Sequence, residues 1–198
     1  MAHAGRSAAD RQAALARGRI VHRLMQSLPD IPPARRQDAA ERYLAKAATD
    51  FPADEQAEMA RQVFAILDDP RFAQAFAPGS RSEVPIVGRI ARPGADPLEI
   101  AGQVDRLIVT DDAVLIADYK TDRAVPQQLA EVKPYFTQLA LYRAVLARLY
   151  PEKPVHAALI FTAAPDLVEI PPAAMDAALE AELRDMPTEA AQAPVRMP

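Results

Sequence analysis

Twenty residues, GQVDRLIVTDDAVLIADYKT (102–121), constrain the fold more than any other part of the chain. Two apolar, β-branched runs are joined by Asp111-Asp112, which reads as a β-hairpin with a two-residue loop. If those two residues form the loop, Thr110 pairs with Ala113 and the numbers of every paired position sum to 223. Asp105 and Asp118 satisfy that sum. Their Cβ atoms are then expected about 5 Å apart, on a face otherwise lined by Leu107, Val109, Val114 and Ile116. Carboxylates held together beside apolar side chains need a shared proton or a cation, and a divalent metal is the economical answer. Strand alternation puts Lys120 on the same face, opposite Gln103. Only four of the 23 basic residues are lysines, and one stands here. A bulge in either strand would break the facing, and two acids at a solvent-exposed edge show the same spacing.

The surroundings read as an α/β domain. Residues 8–77 carry helical periodicity, with Ile20, Val21, Leu24, Met25 and Leu28 on one face, a break at PDIPP, and resumption over Asp38–Leu44 and Asp54–Leu67. Three helices are expected. After the turn cluster PGSRS (78–82), strands are expected at VPIVGRI, EIAGQVDRLIVT and AVLIADYKT. Pro134 opens a helix to Tyr150 with Tyr135, Leu139, Tyr142, Leu146 and Leu149 on one side. Strands VHAALIFTA (155–163) and DLVEI (166–170) follow, then a helix from Pro172 to Met186 and an Ala/Pro-rich tail expected to be mobile. The expected organisation is a helical segment at 1–82 packed on a core at 83–186, with the tail at 187–198, in one domain overall or as a domain excised from a longer protein. There is no internal repeat.

Several chemistries are excluded. With no cysteine, the chain has no disulfide, thiol nucleophile or cysteine-held metal. No glycine precedes the Lys-Ser/Thr of a P-loop, so ATP binding of that kind is absent. The first residues lack the apolar run of a secretion signal, and a cytoplasmic location is expected. Net charge is −4, divided as +2 over residues 1–82 (12 basic, 10 acidic) and −6 over 83–198 (11 basic, 17 acidic). A global basic footprint for nucleic acid is missing, although local patches and metal ions do the same work.

Five segments in order resemble the PD-(D/E)xK nuclease superfamily, and more closely the RecB-type nuclease domain at the C-terminal end of AddA-like helicase–nuclease subunits. GRIVHRLMQSLP (18–29) is similar to the histidine-bearing helix of that group, SEVPIVG (82–88) to its Glu-x-Pro strand, GQVDRL (102–107) to its first acid, DYKT (118–121) to its second acid and lysine, and QLALYR (138–143) to its Gln-x-x-x-Tyr helix. Valine precedes Asp105 where the superfamily name has proline. The resemblance implies a restriction-endonuclease-like fold, with a mixed central sheet flanked by helices, and an Mg2+-dependent exonuclease of double-strand break repair. His22, Asp105, Asp118 and the Tyr119 carbonyl would hold the metal. Lys120 would assist the attacking water, with Gln138 and Tyr142 completing the site. It further implies DNA, as single strands, for a substrate, and motor domains with a partner helicase–nuclease subunit.

Each assignment has a simpler counterpart. His22 suits a helix surface, and one histidine ligand fits Mn2+ better than Mg2+. Tyr142 shares a face with Leu139 and Leu146 and is equally at home in a core. Glu83 reads as a surface residue, a third acid or a neighbour of the ligands. Arg106 is expected on the face opposite Asp105, in a structural or phosphate-contacting role. His156 is taken as structural, and His3 lies near the terminus. Two other readings use the same residues: a non-catalytic DNA-binding or assembly module of this fold, and a stand-alone nuclease.

Overall fold

The computed structural model describes residues 7–121, 135–185 and 195–196. Helix α1 (Ala8–Ser27) begins with a reciprocal cap in which the Ser7 hydroxyl accepts the Asp10 N–H at 3.0 Å and Asp10 accepts the Ser7 N–H at 3.0 Å. A 3-10 turn at Leu28–Asp30 ends it, and Pro33 opens α2 (Pro33–Ala47), where the missing amide costs nothing. Helix α3 (Ala53–Leu67) and a 3-10 segment at Pro70–Phe76 complete the helical layer, which is the expected three-helix run.

Five strands form the main path of the sheet in the order β1 (Arg81–Arg92), β2 (Ala95–Val109), β3 (Val114–Lys120), β4 (Val155–Phe161) and β5 (Asp166–Ile170). All neighbours are antiparallel except β3 and β4, which are parallel and separated by a crossover containing α4 (Phe136–Leu149). A two-residue β6 (Val195–Arg196) adds in parallel to β2 at Ile100 and Ala101. The fold is therefore α/β with a mixed central sheet flanked by helices. Strands β1 and β2 are longer than their apolar runs. Gly94, at φ 71°, turns the chain tightly enough for Arg92 to pair with Ala95, and backbone ladder bonds extend the ribbon without apolar side chains.

Each sheet face buries its own core. One side packs Ile86, Ile100, Leu107, Ile116, Leu159 and Phe161 against Leu139, Tyr142 and Leu146 of α4 and Met175 of α5 (Pro172–Asp185). The other packs Ile108, Ala117, Tyr119 and Ile160 against Val21, Leu24, Met59, Val63 and Phe72 of the helical layer. Strand β3 feeds both, which explains its nearly unbroken apolar sequence. The expected start of the fourth helix at Pro134, the expected last residue of the fifth, Met186, and the tail at 187–194 and 197–198 lie outside the described residues. Among the described residues no helix is long and apolar enough to cross a membrane.

Candidate metal centre

The β2–β3 hairpin has the register that its spacing predicts. Val109↔Val114, Leu107↔Ile116 and Arg106↔Ala117 each sum to 223, and the Thr110 N–H donates to the Ala113 carbonyl at 2.9 Å around Asp111-Asp112. The Thr110 hydroxyl ties the same turn by accepting the Ala113 N–H at 3.1 Å. The paired ladder stops at Arg106. At the next position the Asp105 carboxylate accepts the Tyr119 N–H at 2.8 Å, so a side chain takes a donor of the neighbouring strand. That bond fixes the orientation of Asp105.

Asp118 is buried, and its Oδ2 lies 2.5 Å from Lys120 Nζ. Burial pushes its carboxyl above the ordinary carboxylate range and the charge of Asp105 pushes the same way, while Lys120 opposes both. Lys120 is itself held over the Tyr135 ring, 4.0 Å from its centroid, and its carbonyl accepts the Thr162 N–H at 2.8 Å. Acid and amine therefore share one buried strand face.

Two remote segments complete the cluster. His22 of α1 lies against the sheet, with Nε2 3.0 Å from Asp105 Oδ1 and Nδ1 3.7 Å from Glu83 Oε1. The edge of its ring meets Tyr119 at 5.6 Å between centroids. The Asp105 bond raises the His22 pKa above 6.5, against the effect of burial. Glu83 sits in β1 between Ser82↔Arg106 and Val84↔Val104, opposite Asp105 in register. Its φ of 53° is the only positive value for a non-glycine among the described residues, a strained conformation of the kind that aims a side chain for function. Glu83 Oε1 is buried with no hydrogen-bond partner, and burial is the main cause of a raised carboxyl pKa there.

The ligand atoms of His22, Glu83 and Asp105 lie within 4.8 Å of one another. Two carboxylates and one imidazole form a donor set that suits Mn2+ or, with water, Mg2+. The profile of the PD-(D/E)XK nuclease superfamily matches residues 2–197. The chain belongs to that superfamily. No curated protein gives a significant match. Among solved structures the chain is similar to one described as the crystal structure of SSO0001, at 14% identity over 83% of this chain and 74% of that one, with a TM-score of 0.35. At that level the likeness carries no argument.

For a superfamily member the residues fit a cation on physical grounds. An orphaned buried carboxylate oxygen, two acids forced toward their neutral forms and a histidine drawn toward its charged form are what a site looks like when protons stand in for a metal. Of the residues singled out from the sequence, His22 and Asp105 fall in the trio. Asp118 and Lys120 lie against each other, and the Tyr119 backbone is locked to Asp105. Glu83 enters on equal terms with His22, a role that only its place in Glu-x-Pro hinted at.

Gln138 and Tyr142 meet on α4, with Nε2 3.4 Å from the hydroxyl. Tyr142 is 1% exposed, and its hydroxyl accepts the Gln103 N–H at 3.2 Å. A Cβ at Gly102 would stand 2.2 Å from that oxygen, so the glycine admits the tyrosine beneath β2. Tyr142 thus holds the strand two residues before Asp105. Arg106 points to the opposite face, as strand alternation requires, and is 1% exposed. It donates to the Ala75 carbonyl at 3.2 Å and the Ser80 hydroxyl at 2.6 Å, and lies 3.5 Å from Asp30.

Proposed function

We propose that this superfamily member is a divalent-metal-dependent DNA exonuclease of the RecB-like type, serving as the nuclease of an ATP-dependent helicase–nuclease in double-strand break repair. The observation that carries the reading is the convergence of His22, Glu83 and Asp105 beside the buried Asp118–Lys120 pair. Asp105, His22 and Glu83 hold the cation, with Asp118 and the Tyr119 carbonyl as further oxygen donors. An Mg2+ or Mn2+ held there would supply an acidified water and would offset charge on the phosphate undergoing attack. Lys120, as an ammonium paired with Asp118, would orient the attacking water and counter charge developing on the phosphoryl oxygens. The Tyr119 N–H keeps Asp105 from turning away. Gln138 and Tyr142 complete the site by fixing the β2 backbone at Gln103. The five motifs in family order support the RecB-like assignment, and the absence of a P-loop motif leaves unwinding to motor domains and a partner subunit.

The test starts with thermal melts of the purified chain in EDTA and with Mg2+ or Mn2+, beside Asp105→Ala. A ligand that binds only the native state raises stability in a concentration-dependent manner. The expected result is a metal-dependent rise lost in the variant, followed by metal-dependent cleavage of single-stranded DNA lost in Asp118→Ala. Full cleavage by Asp118→Ala overturns the site.

A further inference from the structure

A second feature of α1 lies outside the metal cluster. The helix carries Arg11, Arg17, Arg19 and Arg23 against one acid, Asp10, which is engaged in the N-terminal cap. Arg17 is bonded to Gln62 at 2.6 Å. Arg19 and Arg23 are exposed, with Arg23 bonded to Gln26 on its own helix. Helical spacing places Leu15, Arg19, His22 and Arg23 along one flank, with the two arginines about 6 Å apart along the axis. Leu15 on this flank is 62% exposed and leaves an apolar surface beside the arginines.

The flank leads directly to the metal cluster. A Cβ at Gly18 would stand 2.9 Å from Thr121 Oγ1, so this glycine seats α1 against the chain one residue beyond Lys120. One turn later His22 bonds Asp105, and the charge of Arg23 is felt at Glu83. The cluster holds three carboxylates against His22 and Lys120, and the whole chain has net charge −4. A polyanion approaching this cluster needs a local source of positive charge, and among the described residues the α1 flank adjoins the site.

We infer that Arg19 and Arg23 form a phosphate track that guides a single DNA strand along α1 to the metal cluster, with Leu15 offering apolar surface to a base. The inference rests on the proposed nuclease reading and names how that site grips its substrate. A basic groove that follows the backbone, joined to apolar contacts for bases, is how single strands are held without sequence preference.

The test is fluorescence anisotropy of a labelled single-stranded oligonucleotide in EDTA, where no cleavage occurs, across a salt series. Arg19→Ala and Arg23→Ala should each lower the slope of log K against log salt by about 0.7. Arg19→Lys and Arg23→Lys should restore it. Arg42→Ala, which removes an equal charge from the exposed surface of α2, should leave it unchanged, and the Mn2+-dependent rise in melting temperature should survive in Arg19→Ala. If the parent binds the strand and both alanine variants bind it with the parental slope, the track is wrong and the nuclease reading stands. If the parent binds no strand at low salt and cuts none with Mn2+, both fail.

Discussion

Asp105 and Asp118 occupy matching positions on adjoining strands of one hairpin, yet they belong to different structures. Asp118 is buried and paired with Lys120, a neighbour two residues along the same strand. Asp105 is drawn outward to His22 and bonded to the Tyr119 amide, and it meets Glu83 from a third segment. One half of the site is local and needs only strand alternation. The other is assembled across more than 80 residues and needs α1 docked against the sheet. The local half sets an acid against an amine within one strand, and the long-range half brings two carboxylates and an imidazole together from three segments.

Neutralising the two acids separately tests whether the halves act apart. Asp118→Asn should reduce cleavage by about 10^3-fold or more, yet keep a smaller metal-dependent rise in melting temperature because the trio remains. Asp105→Asn should lose both. At a metal concentration about 100 times the dissociation constant the rise corresponds to about 2.7 kcal/mol, well within reach of a melt. Identical behaviour of the two variants would show that the acids form one undivided site.

A smaller effect separates the halves by their supports. Arg106 adjoins Asp105 but reaches the other face, where it bonds the segment ahead of β1 and approaches Asp30 just after α1. It therefore braces the two segments that carry Glu83 and His22. Arg106→Leu leaves those acceptors short of donors and should cost about 1–3 kcal/mol of stability. It should also weaken the metal-dependent rise by loosening the trio. A variant that melts earlier but keeps the full rise would confine Arg106 to folding.

What could be read from the sequence follows the same division. The 223 register, the Asp111-Asp112 loop and the shared face of Asp118 and Lys120 depend on a period of two and a short turn. The apolar face of α4 was legible from Leu139 to Leu146, although Leu149, expected on the same side, is 67% exposed at the helix end, and the opposed direction of Arg106 followed from strand alternation. The family motifs pointed to His22, but the residue pattern alone gave no distance between α1 and β2. Glu83 was hardest to read. Its side chain joins the trio through a left-handed backbone turn inside a strand, a conformation that no propensity anticipates for glutamate. Nor does periodicity reveal that Gly18 is needed for its close approach to Thr121.

The gentlest test uses protons. His22, Glu83 and Asp118 all have pKa values raised above their ordinary 6.5, 4.5 and 3.8. A raised native value means that the folded state binds the proton more tightly. The stability contributed by each group is then complete below its unfolded value and is lost as pH rises through the native one. Glu58 and Asp69, whose values are lowered, work the other way but lie exposed on the surface, where solvent screens their pairs. Melts in EDTA from about pH 4 to about pH 8 should therefore show these three groups withdrawing stability as pH increases. Mn2+ requires the deprotonated ligands, so its stabilising effect should grow over the same range. The Glu83→Gln variant removes one titrating group from the long-range half, and Asp118→Asn one from the local half. Each should flatten the EDTA profile in part, but Glu83→Gln should take more of the metal response with it. An EDTA profile that rises throughout, or variants that leave it unchanged, would remove the proton-for-metal exchange from the account of this site.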